Sequence, residues 1–235
     1  MLDQIIIGDK GSYTDFSASL AGRHIGKPKK KSIKETVPFS NITHDFSKID
    51  GELYWEEREL EYIFEITANS PEELEELKLA FSGWVMNVFE EDIHDPYIFG
   101  YHFKGTYEDM DPADDEGLDK TTLTVKFTAY PYMIADHPTV FQFSGTTRPT
   151  TALRVVNGSH HPVRARIRAD FEGEGNEAAN MQVQINGDFV MLISGVQYEY
   201  DPLPVGLLEI NMTALTMYGA GAKYTLSISF DEEVL

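Results

Sequence analysis

YWEERELEYIFEITANSPEELEELKLAFSGWVMNVF, residues 54–89, changes its hydrophobic period twice. In YWEERELEYIFEI, Leu60, Tyr62, Phe64 and Ile66 fall on one face, and Arg58, Glu59, Glu61 and Glu65 supply polar positions opposite or nearby. Alternation with period two predicts a half-buried strand. Ser70-Pro71-Glu72-Glu73 then reads as a helix start. Ser70 can cap free N–H groups, Pro71 suits the first helical position, and Glu73 can complete a capping box. Leu74, Leu77, Phe81 and Trp84 follow at helical spacing, and Gly83 is the expected terminator. The result is one amphipathic helix of about a dozen residues. WVMNVF returns to strand-like character. This stretch is built to pack and to pair, so the question becomes what the chain assembles with.

Upstream, IIIGD (Ile5–Asp9) reads as a short opening strand, followed by a lysine-rich loop around Pro28. Pro38 and Asn41 carry turn chemistry. Downstream, WVMNVFEED and PYIFGYHFKGTYE read as two aromatic strands joined by a polar turn, EEDIHDP. DMDPADDEGLDK reads as an acidic loop, and TTLTVKFTAYPYMI as a strand facing inward through Leu123, Val125 and Phe127. The first part of the chain is therefore β-rich with one helix, and a boundary is expected near Ala135–Pro138. The proposed division is residues 1–136 and 137–235.

Beyond that boundary every segment alternates. VRARIRADF places Val163, Ala165, Ile167, Ala169 and Phe171 on one face and Arg164, Arg166 and Arg168 on the other. Asn186-Gly187 between two strands is the pair that a type I′ hairpin requires. KYTLSISF turns Tyr224, Leu226, Ile228 and Phe230 inward. Regular strands joined by Gly, Pro or Asn turns predict a β-sandwich.

The chain has 235 residues, 42% hydrophobic and 12% aromatic, enough for one large or two small cores. No run of eighteen apolar residues reads as a membrane helix. The N-terminus lacks the basic flank of a secretory signal. With no cysteine, disulfides, thiol catalysis and cysteine-bound zinc are excluded. A net charge of −20 opposes nonspecific affinity for nucleic acid; it reads first as a generally acidic soluble surface, and would also suit a conduit that a polyanion crosses without adhering. Against that background, Lys27, Lys29, Lys30, Lys31 and Lys34 form a basic cluster that reads either as a solvated loop or as a contact with an acidic neighbouring subunit. The arginine row Arg164, Arg166 and Arg168 is a candidate ligand face for a carboxylated or phosphorylated sugar, or else a face paired with acidic neighbours.

Catalytic chemistry finds little support. Glu91, Asp92, His94 and Asp95 offer ligand atoms, but a polar turn explains them as well. The loop Asp109–Lys120 fails the EF-hand pattern, with Asp114 where glycine is needed and Lys120 where glutamate is needed. His160-His161 reads as a turn. No serine lies in a G-x-S-x-G elbow. Gly173, Gly175, Gly219 and Gly221 read as hairpin tips rather than phosphate loops. Asn41, Asn157 and Asn211 each begin an N-x-[ST] triplet, read as chance. The expectation is a chain without catalytic residues, metal or cofactor.

The order of segments resembles the distal tail protein (Dit) family of long, non-contractile-tailed bacteriophages. The matching pieces are IIIGDKGSYTDFSASL, YWEERELEYIFEI with Glu57-Arg58, the capped helix ending near Ser82-Gly83, DIHDPYIFGY from Asp92 to Tyr101, and TVKFTAYPYMI with Ala129-Tyr130-Pro131-Tyr132. The resemblance covers residues 1–135 well and the remainder in character. It implies a mainly β protein, with a tail-tube-like β-sandwich or split-barrel domain flanked by one helix and a galectin-like C-terminal β-sandwich. It also implies a homohexameric ring at the virion tail tip, assembled in the bacterial cytoplasm, between the tail tube protein and a tail-associated lysin or fibre protein. DNA would pass through the ring unbound. Tyr97, Phe99 and Tyr101, together with the lysine cluster, are the candidate subunit or partner contacts. The alternative is a carbohydrate-binding adhesion module in the C-terminal sandwich. Trp55 and Trp84 lie outside that part, which leaves Tyr198, Tyr200 and Tyr218 to supply its platform. A cell-wall hydrolase has the least support.

Overall fold

A computed structural model describes residues 3–36, 38–39, 41, 43–48, 53–111, 114–115, 117, 119–146, 151–172, 180–214 and 223–235. The chain divides into two compact units, Met1–Met133 with Leu235, and Ile134–Val234. The first unit contains β1 (Ile6–Ile7), β2 (Lys10–Gly11), α1 (Ser12–Phe16), β3 (Ala18–Ile25), β4 (Lys34–Thr36), β5 (Thr43–Asp45), β6 (Arg58–Thr67), α2 (Pro71–Val85), β7 (Glu91–His94), β8 (Tyr101–Met110), β9 (Asp114–Asp115) and β10 (Lys120–Ala129). β11 (Met133–Ala135) spans the junction in sequence. The second unit holds β12 (Thr139–Thr146), β13 (Thr151–Asn157), β14 (Val163–Glu172), β15 (Asn180–Ile185), β16 (Asp188–Ile193), β17 (Gln197–Leu203), β18 (Gly206–Ala214), β19 (Lys223–Phe230) and β20 (Glu233–Val234).

The main sheet of the first unit runs β2-β1-β7-β8-β10-β6-β3, with β9 beside β10. The period-two pattern sets its register. Leu60, Tyr62 and Phe64 of β6 stand opposite Phe127, Val125 and Leu123 of β10, and all six are buried. Such same-face pairs hold an antiparallel sheet together. α2 packs through Leu74, Phe81 and Val85. The Phe81 ring meets Phe64 edge-on at 5.0 Å, and Trp84 stacks on Phe16 at 4.7 Å.

Ser70 caps α2 as its sequence predicts, accepting from the Glu73 N–H at 3.2 Å. Glu73 reaches back to the Asn69 backbone N–H at 2.8 Å and to the Asn69 side chain at 3.1 Å, rather than to Ser70. Ser70→Ala is expected to cost about 1 kcal/mol, read as a shift in the urea midpoint with an unchanged m-value.

Four details depart from the sequence reading. α2 continues through Gly83 to Val85, where Met86 caps it in right-handed geometry. Gly83 faces open space, so nothing there calls for a left-handed terminator. Consequently Trp84 and Val85 are helical, not strand. EEDIHDP is not simply a turn, because Glu91–His94 is β7 and pairs with β8, burying Ile93. PYIFGYHF enters its strand only at Tyr101, so Tyr97 and Phe99 precede β8. A second, five-residue helix, α1, accompanies the expected one.

The second unit is two four-stranded antiparallel sheets, β12-β19-β14-β17 and β13-β18-β15-β16. One buried cluster joins them, with Val163, Ala165, Ile167, Ala169 and Phe171 of β14 meeting Met181, Val183 and Ile185 of β15 and Ile210 of β18. This is the predicted sandwich. Asn186 and Gly187 turn between β15 and β16 with φ of 50° and 96°, the positive pair that a type I′ turn needs. The proposed hairpin tips at Gly173, Gly175, Gly219 and Gly221 lie outside the described residues.

Candidate functional site

Between β3 and β6 the chain leaves the sheet as an arm. Its root is a short antiparallel ladder. The Gly26 N–H donates to the Glu59 carbonyl at 2.8 Å, the Glu56 N–H to Lys29 at 2.7 Å, and the Lys31 N–H to Tyr54 at 2.8 Å. Lys30 bridges Trp55. Farther out, β4 pairs with β5, Lys34 opposite Asp45 and Thr36 opposite Thr43. Every residue of β4 and β5 is exposed. The arm also exposes Ile33, Phe39, Phe46, Leu53 and Tyr54, and none of its described residues joins the buried core cluster of the unit. An isolated two-stranded ribbon is marginal in water.

All five clustered lysines sit on this arm and are exposed. Gly26 is required at its root, since a Cβ there would stand 2.7 Å from the Glu59 carbonyl oxygen. Gly26→Ala is expected to loosen the ladder and cost about 1–3 kcal/mol. Faster tryptic cleavage at Lys27–Lys34 together with a lower Tm would register it.

Below the arm root lies a network around Asp95. This buried carboxylate receives Arg23 Nη1 at 2.6 Å and the Tyr97 N–H at 2.8 Å. Arg23 lies 4.7 Å from the Tyr97 ring centroid, and the Tyr97 hydroxyl donates to Asp3 at 3.0 Å. The buried Tyr62 hydroxyl has its pKa held well above the ordinary phenol value, by burial first and by the Asp95 charge second. Asp95 is thus committed to structure, which removes it from the possible ligand set. Of the three aromatic contact candidates, Tyr97 and Phe99 are exposed and Tyr101 is half-buried.

Arg58 corrects the sequence reading most. It falls on the buried face of β6, in phase with Leu60, at 5% exposure. Its Nη2 donates to the Pro131 carbonyl, and its guanidinium lies 5.3 Å from the Phe103 ring centroid. Its Nε has no hydrogen-bond partner, and burial lowers its pKa. The period-two pattern of β6 could have found it, because residue 58 is in phase with 60, 62 and 64.

In the second unit the arginine row is internally paired. Arg164 meets Asp201 at 3.1 Å and Glu199 at 3.4 Å, Arg166 meets Asp231, and Arg168 meets Asp170 at 3.0 Å. An anionic ligand on this face would have to displace those carboxylates. The expected aromatic platform is also in structural use. The Tyr200 hydroxyl is buried and donates to Ile185 at 3.2 Å, and Tyr198 accepts from the Ile193 N–H at 3.3 Å. Tyr218 lies outside the described residues. His160 and His161 sit in a bend, with His161 Nε2 2.6 Å from Glu233.

No protein-family model matches this sequence, and no curated protein matches it. Among solved structures, the crystal structure of SPP1 Dit, described as a hub of the adsorption apparatus in phages infecting Gram-positive bacteria, superposes with a TM-score of 0.66 at 13% identity. The match covers 99% of both chains. This chain has the Dit fold. A chain of the phage P2 baseplate in its activated, Ca-bound conformation also aligns, over 97% of this chain and 98% of that one. Its TM-score of 0.37 at 10% identity is too low to carry a fold argument. The Dit fold includes both units, so the resemblance read mainly from residues 1–135 extends to the sandwich. In this chain that fold carries an exposed basic arm on the first unit.

Proposed function

We propose that the chain is a structural protein of a phage or prophage tail tip that assembles with copies of itself into a ring. The reading names six copies, placed between the tail tube protein and a baseplate, lysin or fibre protein, and put together in the bacterial cytoplasm. The observation that carries it is the Dit fold shared over the whole length of the chain, at a TM-score of 0.66 with a phage hub protein.

The arm supports the same reading. A closed ring needs head-to-tail contacts, in which one patch meets a different patch on the next copy. An arm with exposed apolar side chains and a lysine cluster would supply one such patch, and a chain with 39 acidic and 19 basic residues offers many acidic counterparts. The net charge of −20 also suits a ring whose lumen passes DNA without binding it. No catalytic role is included in the proposal. Mass measurement of the purified chain by light scattering across a concentration series, with negative-stain images, tests the reading. A ring supports it, and a monomer that also ignores the tail tube protein ends it.

A further inference from the structure

β16 is the outer strand of its sheet, and among the described residues no strand lies on its far side. The two-residue turn at Asn186-Gly187 fixes which of its backbone groups face outward. In such a hairpin the pair flanking the turn, Ile185 and Asp188, exchanges hydrogen bonds, and every second pair after it does the same. Asp188, Val190 and Leu192 therefore point their N–H and C=O groups at β15, and Phe189, Met191 and Ile193 point theirs away. The end at Ile193 is closed. Its N–H donates to the Tyr198 hydroxyl at 3.3 Å, and its carbonyl accepts from the Val196 N–H at 3.1 Å. Among the described residues nothing takes up the two N–H and two C=O groups of Phe189 and Met191, whose side chains are 65% and 47% exposed. Folds ordinarily guard such an edge with lysine, proline or a bulge. Phe189–Ile193 has no charged residue and no proline, and its register with β15 runs without a bulge.

We propose that β16 pairs antiparallel with β16 of a second copy, so that two four-stranded sheets become one continuous sheet. Phe189 stands opposite Met191 of the second copy, and Met191 opposite its Phe189. That register is self-complementary about a two-fold axis at Val190. Each open N–H meets an open C=O, which gives four backbone hydrogen bonds and leaves no unpaired group on the two residues. Each phenyl ring also comes to lie beside a methionine side chain on one face, a favourable sulfur–ring contact. A second copy is the occupant because the two open residues complement each other, and the edge carries no charge that would select a foreign strand. Copies with a net charge of −20 repel one another, but not here. The one ion of β16, Asp188, accepts from the Tyr200 hydroxyl at 3.1 Å, and in this register it faces Leu192 of the second copy rather than another carboxylate. This two-fold contact is distinct from the head-to-tail contacts of a ring and does not depend on them.

The chain has no cysteine, so a single introduced one reports the contact cleanly. Val190 faces Val190 of the second copy as a non-hydrogen-bonded pair, with Cα atoms about 4.5 Å apart and within reach of a disulfide. The full chain carrying Val190→Cys, oxidised with diamide at rising protein concentration, is expected to give a reducible species at twice the 26.5 kDa protomer mass. Leu207→Cys, on β18 of the same sheet and 61% exposed, controls for random collision and is expected to cross-link about tenfold less. Adding Phe189→Lys and Met191→Lys to Val190→Cys is expected to lower its cross-linking to that control level with circular dichroism unchanged, since both positions are exposed. If Val190→Cys loses its circular dichroism signature, an equimolar mixture of Phe189→Cys and Met191→Cys replaces it, and mass spectrometry is expected to find the mixed dimer in excess over either self-dimer. The proposal is overturned if Val190→Cys cross-links no more than Leu207→Cys, which leaves the edge to another chain or to solvent, or if the lysine pair does not reduce its cross-linking. Ring formation is judged separately, because the reduced double-lysine variant is expected to assemble as the parent does.

Discussion

Removing residues 32–53 and joining Lys31 to Tyr54 through Asn-Gly is expected to leave a folded chain that stays a monomer under conditions in which the full chain assembles. The Lys31 N–H donates to the Tyr54 carbonyl, next to the bridged pair Lys30 and Trp55, so Lys31 and Tyr54 are the hydrogen-bonded neighbours that a two-residue type I′ turn can close. No described residue of the deleted segment belongs to the buried cluster around Phe64 and Phe81. The Tm of the shortened chain should therefore stay within roughly 3 °C of the parent, a change of about 1 kcal/mol or less. Its sedimentation coefficient should fall to that of one protomer. A shortened chain that still assembles would move the contact surface elsewhere, and Tyr97 and Phe99 would be the next residues to change.

The second large effect is in the core. Phe81→Ala is expected to destabilise the first unit by about 3–5 kcal/mol. Phe81 is fully buried and touches three aromatic rings, Phe16, Phe64 and Trp84, at centroid distances of 6.1, 5.0 and 5.7 Å. Its loss opens a void between helix and sheet that these rigid rings cannot refill, and the edge-on ring contacts are lost with it. The Tm of that unit should fall by roughly 10 °C or more. The sandwich of residues 134–234 has its own buried cluster. Its transition should hold, so differential scanning calorimetry is expected to separate two transitions in the variant. A single transition shifted as a whole would show that the two units unfold together.

Much of this architecture is legible in the sequence because one face of each long strand is buried. β6, β10, β14 and β19 each alternate over eight to ten residues, and every apolar position named in them is buried. The Ser70 cap and the Asn186-Gly187 turn are local, so their residue types suffice. β7 was hidden because four residues present only Ile93 to the core, and the polar remainder reads as a turn. α1 is five residues long, too short to show a period. Glycine marks a helix end only where a left-handed cap forms, and at Gly83 the helix runs on to Val85 and Met86 stays right-handed.

The candidate site was legible only in part. The lysine cluster marks the arm, but its ladder depends on pairing between residues 26–33 and residues 46–59. Such long-range pairing leaves no periodic trace in the sequence. Arg58 shows how residue type can mislead. Its position in the alternation points inward, its charge argues outward, and tertiary context decides for the position. The arginine row has the opposite history. Arg164, Arg166 and Arg168 do face away from the core, but the carboxylates that pair with them lie up to 65 residues away in sequence.

The central claim is self-assembly, and sedimentation velocity combined with negative-stain class averages of the full chain tests it most directly. The account predicts one dominant species at six times the 26.5 kDa protomer mass, seen end-on as a sixfold ring with a central opening, in the free chain or once the tail tube protein is added. A species that stays at the protomer mass at every concentration, with and without that partner, would contradict it.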